Sequence, residues 1–215
     1  MDSLLIHVCC GPCSTVPLAR LSVEGMSFAA FFSNSNIDSK EEYELRFENF
    51  RCFAAGLGVT MRESPYEPDS WRKAIGPRGG LFPVIPGSPD HDENLASRQA
   101  RCRACYAYRF ERLASEAQSG GYGRISTTLS ISPYQFTEIM EDEIRRAADR
   151  YGVESAFVDY RPLYQKAVMK SRELGMYRQK YCGCAYSLAE AELERKARKA
   201  AQKIGSHSVQ GDAHE

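Results

Sequence analysis

Residues 4–14 read LLIHVCCGPCS, an apolar run that ends on three cysteines. Leu4 to Val8 is a short, mostly apolar run that suits a buried strand, and it ends directly on Cys9 and Cys10. After Pro12, the segment Ser14 to Leu21 starts a helix. Strand, tight turn and helix N-terminus put the first thiols where partial positive charge favours a thiolate or a phosphate.

The same alternation continues downstream. Phe28 to Phe32 reads as a second strand, and Ser39 with Glu42 forms a capping box for a helix carrying Tyr43, Phe47, Phe50 and Ala54 at helical spacing. Val59 to Met61 reads as a third strand and Asp69 to Ala74 as a short helix. Gly76 to Pro89, GPRGGLFPVIPGSP, is too broken by glycine and proline for regular structure and is expected to be a mobile loop or lid.

Asn94 to Gln118 carries a stripe of Cys102, Tyr106, Phe110, Leu113 and Ala117, with Cys105 on a neighbouring face. Arg124 to Leu129 reads as a strand. Ser132-Pro133-Tyr134-Gln135 reads as a capping box opening the helix of Phe136, Ile139, Met140, Ile144 and Ala147. Ala156 to Tyr160 is the expected last strand, followed by helices at Lys166 to Leu174 and Ser187 to Lys203.

Strands alternating with helices predict an α/β fold with a mainly parallel sheet, whose ligands gather at the carboxyl ends of the strands. The expected organisation is a single catalytic domain over residues 1–203, with the Pro/Gly-rich loop at about 76–91. Residues 204–215 are expected to form a disordered tail.

Seven of the eight cysteines fall into three clusters: Cys9, Cys10 and Cys13; Cys102 and Cys105; Cys182 and Cys184. Thiols so spaced on distant segments are what a metal site recruits. Four thiolates suffice for a tetrahedral zinc or a cubane iron–sulfur cluster, and the spacing fits the paired hooks of a zinc ribbon poorly. The remaining thiols need another task. Gly183 lets Cys182 and Cys184 close as a readily reduced disulfide or chelate a second metal, iron or zinc. Arg178 and Lys180 lower those thiol pKa values if their charges approach the sulfurs. Cys52, alone in a helix, is expected to be buried, and His7 to be a hydrogen-bonded core residue.

The chain has 215 residues, with 28 Lys and Arg against 28 Asp and Glu, so its overall field does not steer a polyanion. Local charge differs. Arg161 to Lys203 holds 11 basic residues against four acids, and Tyr160, Tyr164, Tyr177, Tyr181 and Tyr186 lie in or beside it, a mixture suited to phosphate contact and base stacking. The chain shows no leader peptide and no long apolar stretch, which predicts a cytoplasmic protein without a membrane partner. In that reducing compartment, clustered cysteines are metal ligands or catalytic thiols more often than structural disulfides.

Five stretches together resemble the cobalamin-independent epoxyqueuosine reductases of the QueH family: LLIHVCCGPCS at 4–14, Tyr43 and Arg46 in EYELR, RCRAC at 101–105, TTLSISPYQ at 127–135 and SRELGMYRQKYCGC at 171–184. The similarity runs to about residue 190. It implies two-electron reduction of epoxyqueuosine to queuosine at the wobble position of tRNA, the last step of queuosine biosynthesis, with electrons from an unknown donor. It also implies an iron–sulfur cluster and a fold like the adenine-nucleotide α-hydrolase or PP-loop group. CCGPC stands where that group has its glycine-rich phosphate loop, so no ATP is expected.

On this reading a [4Fe–4S] cluster is held by Cys9, Cys10, Cys102 and Cys105. Cys182, Cys184 and Cys13 are the catalytic candidates or the ligands of a second metal, a carboxylate standing at position 13 in some such proteins. Tyr134, Gln135, Arg178, Lys180 and Tyr181 are the expected substrate contacts. Two other classes compete, an iron–sulfur-dependent tRNA thiolase and a non-enzymatic, zinc-stabilised tRNA-binding module.

Overall fold

A computed structural model of the chain describes residues 3–208. Five parallel strands, β1 (Leu4–Val8), β2 (Phe28–Phe32), β3 (Thr60–Glu63), β4 (Arg124–Thr127) and β5 (Glu154–Ser155), form one sheet in the order β3-β2-β1-β4-β5. The helices are α1 (Gly11–Val23), α2 (Lys40–Gly56), α3 (Pro68–Ile75), α4 (His91–Gly120), α5 (Thr137–Tyr151), α6 (Tyr164–Glu173) and α7 (Ala185–Ser208).

β1 is apolar because both its faces are covered. Leu5 packs into a core with Phe110 and Leu113 of α4 and Met140 and Ile144 of α5. Leu4, Ile6 and Val8 face the other core, with Leu18 of α1 and Phe50 of α2. A central parallel strand buried on both sides has no polar face to display. The strand order reverses direction between β1 and β4, and such a switch point opens a crevice outside the carboxyl ends of the two strands. The Cys9–Cys10 pair ends β1 there.

Several expected boundaries move. β4 stops at Thr127 because the Thr127 side chain accepts a bond from the Leu129 N–H at 3.1 Å and turns residues 128–131 into a 3₁₀ helix. With β4 shortened, its neighbour has little to pair with. β5 is therefore the two residues Glu154–Ser155, not Ala156 to Tyr160. The chain beyond it is tied instead by the Ser130 hydroxyl, which donates to the Val158 carbonyl at 2.6 Å.

Ser132 does not cap α5, which starts four residues after Pro133, at Thr137. Residues 132–135 form a turn, and the Tyr106 hydroxyl accepts from the Phe136 N–H at 3.3 Å while donating to Gln135 at 2.8 Å. A tertiary contact outcompetes the local capping signal. At Ser39 the local signal holds, its hydroxyl accepting from the Glu42 N–H at 3.2 Å. α7 continues through Ser208, which corrects the expected tail at its start; positions 209–215 lie outside the described residues.

The Pro/Gly-rich segment is tied down along its middle. Phe82 and Val84 donate backbone N–H groups to Glu190 and Glu194 of α7, each at 2.8 Å, and Asn94 and Arg98 of α4 donate to the Pro83 and Phe82 carbonyls at 3.0 and 2.7 Å. Beneath it, Arg101 and Glu190, each nearly fully buried, pair at 2.6 Å.

Candidate functional site

The site is assembled from three segments. Cys9 and Cys10 leave the end of β1, and Cys13 follows in the first turn of α1, which begins three residues earlier than the sequence suggests. The close packing of Gly11 permits this turn: a Cβ there would lie 2.5 Å from the Asn49 side chain. The sulfurs of Cys9, Cys10 and Cys13 all lie within 4.8 Å of one another. Two sulfurs bound to one ion at about 2.3 Å each stand no more than about 4.6 Å apart. This buried group therefore has the dimensions of a single-ion site and suits a metal or an iron–sulfur group.

Cys102 packs against the same core as Cys9 and Cys10, one turn of α4 from Cys105, which is buried with Cys184, Trp71 and Ile75. Cys102 and Cys105 interact electrostatically with Cys182, and Cys102 with Cys184 as well. Cys102 and Cys105 thus lie within electrostatic reach of the Cys182–Cys184 segment. All eight cysteines are free thiols.

Their protonation is uneven. Hydrogen bonds from Cys13 and Cys9 hold the Cys10 thiol well below its ordinary range, with Gln179 adding an N–H at 2.8 Å. Those same bonds raise Cys13, and the bond to Cys10 raises Cys9, so the triad favours one shared thiolate. Burial pushes Cys102 and Cys105 up, and pushes Cys184 up to about 11. Arg178 and Lys180, the chain neighbours of the Cys182–Cys184 pair, are both exposed. The charges that reach it belong to Arg46, beside Cys182, and Arg101, beside Cys184.

The 182–184 segment is held rigidly. Arg46 donates to the Cys182 carbonyl at 2.8 Å, and the Asp38 N–H donates to the Gly183 carbonyl at 2.8 Å. Gly183 has φ 141°, and a Cβ on it would crowd Arg46, Asn36 and Ile37, each at 3.1 Å. Only glycine fits there. Cys182 is exposed at the mouth, 4.0 Å from the Gln135 side-chain oxygen, while Cys184 is buried beneath it.

The other expected contacts separate. Tyr134 is 80% exposed, with Tyr164 edge-on at 6.2 Å. Arg178 and Lys180 are exposed, and neither forms an ion pair among the described residues. Tyr181 is half-buried with the Arg46 guanidinium over its ring at 5.0 Å. The five-tyrosine stacking surface does not form: Tyr160 is buried in the core, Tyr177 donates to Glu42, and Tyr186 packs near Trp71.

Cys52 is not buried; it lies on the solvent side of α2 beside Glu48, off the buried stripe of Tyr43, Phe50 and Ala54. His7 is the expected core histidine, with Thr127 at 3.0 Å and the Ser33 carbonyl at 3.2 Å. Sequence reasoning missed Trp71, which donates to the Cys105 sulfur at 3.3 Å, as well as Gln179 and the buried Arg109. Gln179 had a visible signal, lying three residues before Cys182. Trp71 and Arg109 had none, since both arrive by tertiary packing.

A thiol-lined crevice at the switch point of a parallel sheet defines an α/β protein equipped for thiolate-bound metal or thiol redox chemistry. The family described as "Epoxyqueuosine reductase QueH" matches residues 4–190. Proteins named epoxyqueuosine reductase QueH are similar throughout: that of Thermotoga maritima is 34% identical over 203 residues, covering 91% of this chain and 98% of the relative. The proteins of Acinetobacter baylyi and Histophilus somni are 32% and 30% identical, covering 88% and 91% of this chain and 82% and 76% of their own lengths. Among solved structures, a Methanocaldococcus jannaschii protein described as a predicted subunit of tRNA methyltransferase superposes with a TM-score of 0.49 at 14% identity, over 78% of this chain and 75% of that one. The chain belongs to the epoxyqueuosine reductase QueH family.

Proposed function

We infer that this chain reduces epoxyqueuosine to queuosine in tRNA, as an oxidoreductase at the last step of queuosine biosynthesis. The observation that carries this reading is the buried group of Cys9, Cys10 and Cys13 at the end of β1, in a chain matched by the family over residues 4–190. The proposed catalytic unit is residues 1–203, because the sheet, α4 and the segment before α7 all contribute to the crevice.

Cys9, Cys10, Cys102 and Cys105 are the proposed ligands of a [4Fe–4S] cluster. The chemistry of the donors supports this: Cys9, Cys10 and Cys105 are buried thiols, and Gln179 and Trp71 point N–H groups at the Cys10 and Cys105 sulfurs. Such bonds stabilise metal-bound thiolates. When bound, a cluster of this type supplies electrons singly. Cys13, packed against Cys9 and Cys10, is available to a second metal ion, iron or zinc.

Cys182 and Cys184 are the proposed two-electron donors. One epoxide and two thiols give an alkene, one disulfide and one water: both C–O bonds break, an S–S bond and the second C–C bond form, and the two thiol protons leave with the oxygen. Cys182 presents its sulfur at the mouth, and the Gln135 oxygen, fixed by the Tyr106 hydroxyl, orients it. An external electron donor then restores the thiols, and ATP has no part.

The tRNA is proposed to lie across the mouth, in the cytoplasm. Tyr134 offers an aromatic face to a base, and Arg178 and Lys180 take phosphates. No helix among the described residues is long and apolar enough to cross a membrane.

The test is anaerobic purification with iron and sulfide analysis, followed by incubation with epoxyqueuosine-containing tRNA and a chemical reductant. The expected result is iron with sulfide and a nucleoside lighter by one oxygen. Zinc without sulfide and an unchanged nucleoside would leave only a tRNA-binding module.

A further inference from the structure

Three arginines are buried around the thiols: Arg46 and Arg109 almost completely, and Arg101 nearly so. Two are neutralised. Arg46 pairs with Glu42 at 2.7 Å, and Arg101 pairs with Glu190 at 2.6 Å. Arg109, 1% exposed, has no carboxylate partner among the described residues. Its Nη2 donates to the Asn34 side-chain oxygen at 2.5 Å and lies 3.2 Å from His7 Nε2, and its Nε has no partner. Neither Asn34 nor His7 can carry a negative charge. A guanidinium cannot shed its proton, so a buried one without an anion is costly unless an anion arrives.

That anion is close by. Arg109 stands four residues after Cys105 on α4, one turn along the same face of the helix, and its Nη2 reaches His7 on β1, two residues before Cys9. Cys9 comes from β1 and Cys105 from α4, so one cation spans the two segments that supply the proposed ligands.

We propose that Arg109 is a positioning residue whose fixed charge is the counter-ion of the metal–thiolate group held between Cys9 and Cys105, and that it raises the reduction potential of that group. Four thiolates leave such a group anionic, and each added electron makes it more so. A nearby buried cation therefore stabilises the reduced state more than the oxidised one. The inference rests on the iron–sulfur reading above, and its test separates the two.

The test measures the midpoint potential of the iron-loaded protein by redox titration followed by electron paramagnetic resonance, in the wild type, Arg109→Lys, Arg109→Met and Asn34→Asp. The Asn34→Asp variant keeps the arginine but gives it a carboxylate at the present position of the Asn34 oxygen. Arg109→Met and Asn34→Asp should each lower the ratio of reduced to oxidised cluster at least tenfold at fixed ambient potential, which is about 59 mV for one electron. Arg109→Lys should stay near the wild type. If the neutralising variants instead lose iron while Arg109→Lys keeps it, the counter-ion role also stands. Unchanged potentials in loaded Arg109→Met or Asn34→Asp overturn the role, as does loss of iron from all three variants, which would assign Arg109 to folding alone. Absence of iron and sulfide from the wild type would sink the cluster reading instead.

Discussion

Cys182 and Cys184 differ in exposure though only Gly183 separates them. The exposed sulfur can meet a substrate, and the buried one, with its pKa pushed up to about 11, stays a thiol until a partner sulfur is oxidised. Replacing Cys182 with Ser should reduce queuosine formation by roughly 10²-fold or more, the scale lost when a group that exchanges protons or electrons with substrate is removed. Iron content and the visible spectrum should persist, because Cys182 is not among the proposed cluster ligands. Formation of queuosine at the wild-type rate by Cys182→Ser would refute the dithiol. Gly183 itself is a backbone requirement: with φ 141° and a Cβ that would crowd Arg46, Asn36 and Ile37, Gly183→Ala should cost about 1–3 kcal/mol and move both thiols, detectable as a lowered denaturation midpoint.

At the level of the element, α4 organises the molecule. Its 30 residues place Arg98 and Arg101 under the Pro/Gly-rich segment, Cys102 and Cys105 at the crevice, and Phe110 and Leu113 in the core beneath β1. α7 is clamped to it by Arg101 and Glu190, and the strap at Phe82 uses the same Glu190 carboxylate. Arg101→Ala alone should destabilise the protein by up to about 3–5 kcal/mol, because it leaves the buried Glu190 carboxylate only the Phe82 N–H and a 3.4 Å contact with Arg98. The double variant Arg101→Met, Glu190→Leu should recover much of that loss in chemical denaturation. Equal losses in the single and double variants would show that the pair carries no coupling. α5 illustrates the limit of local signals: Ser132 and Pro133 satisfy the rules for a helix start, yet the Tyr106 hydroxyl on α4 holds this stretch as a turn and delays the helix to Thr137.

Across the whole molecule, balanced charge removes long-range attraction to a polyanion, so binding of tRNA must come from local groups free of internal ion pairs. Three of the four acids in the Arg161 to Lys203 run are spent internally, Glu173 on Lys170, and Glu190 and Glu194 on Arg101 and Arg98. Arg178 and Lys180 are exposed and form no ion pair among the described residues. Charge reversal at Arg178 and Lys180 together should weaken tRNA binding and reduce the slope of log K against log salt by about one for each lost phosphate contact. An unchanged slope across a salt series would move the tRNA surface elsewhere.

The sequence by itself determined the local periods and the chemistry of the cysteine-rich segments. The apolar run of Leu4 to Val8 ending at Cys9, the Ser39 cap and the α4 stripe are short-range patterns, and each is found where it was expected. The tertiary structure decided where β5 lies, since a strand lasts only while its neighbour offers a ladder. It also decided which charges meet the thiols. Arg178 and Lys180 are neighbours of Cys182 in the chain yet extend into water, whereas Arg46, Arg101 and Arg109 come from distant helices and lie beside the sulfurs. Electrostatic partnership follows distance and burial, and neither is a property of chain order.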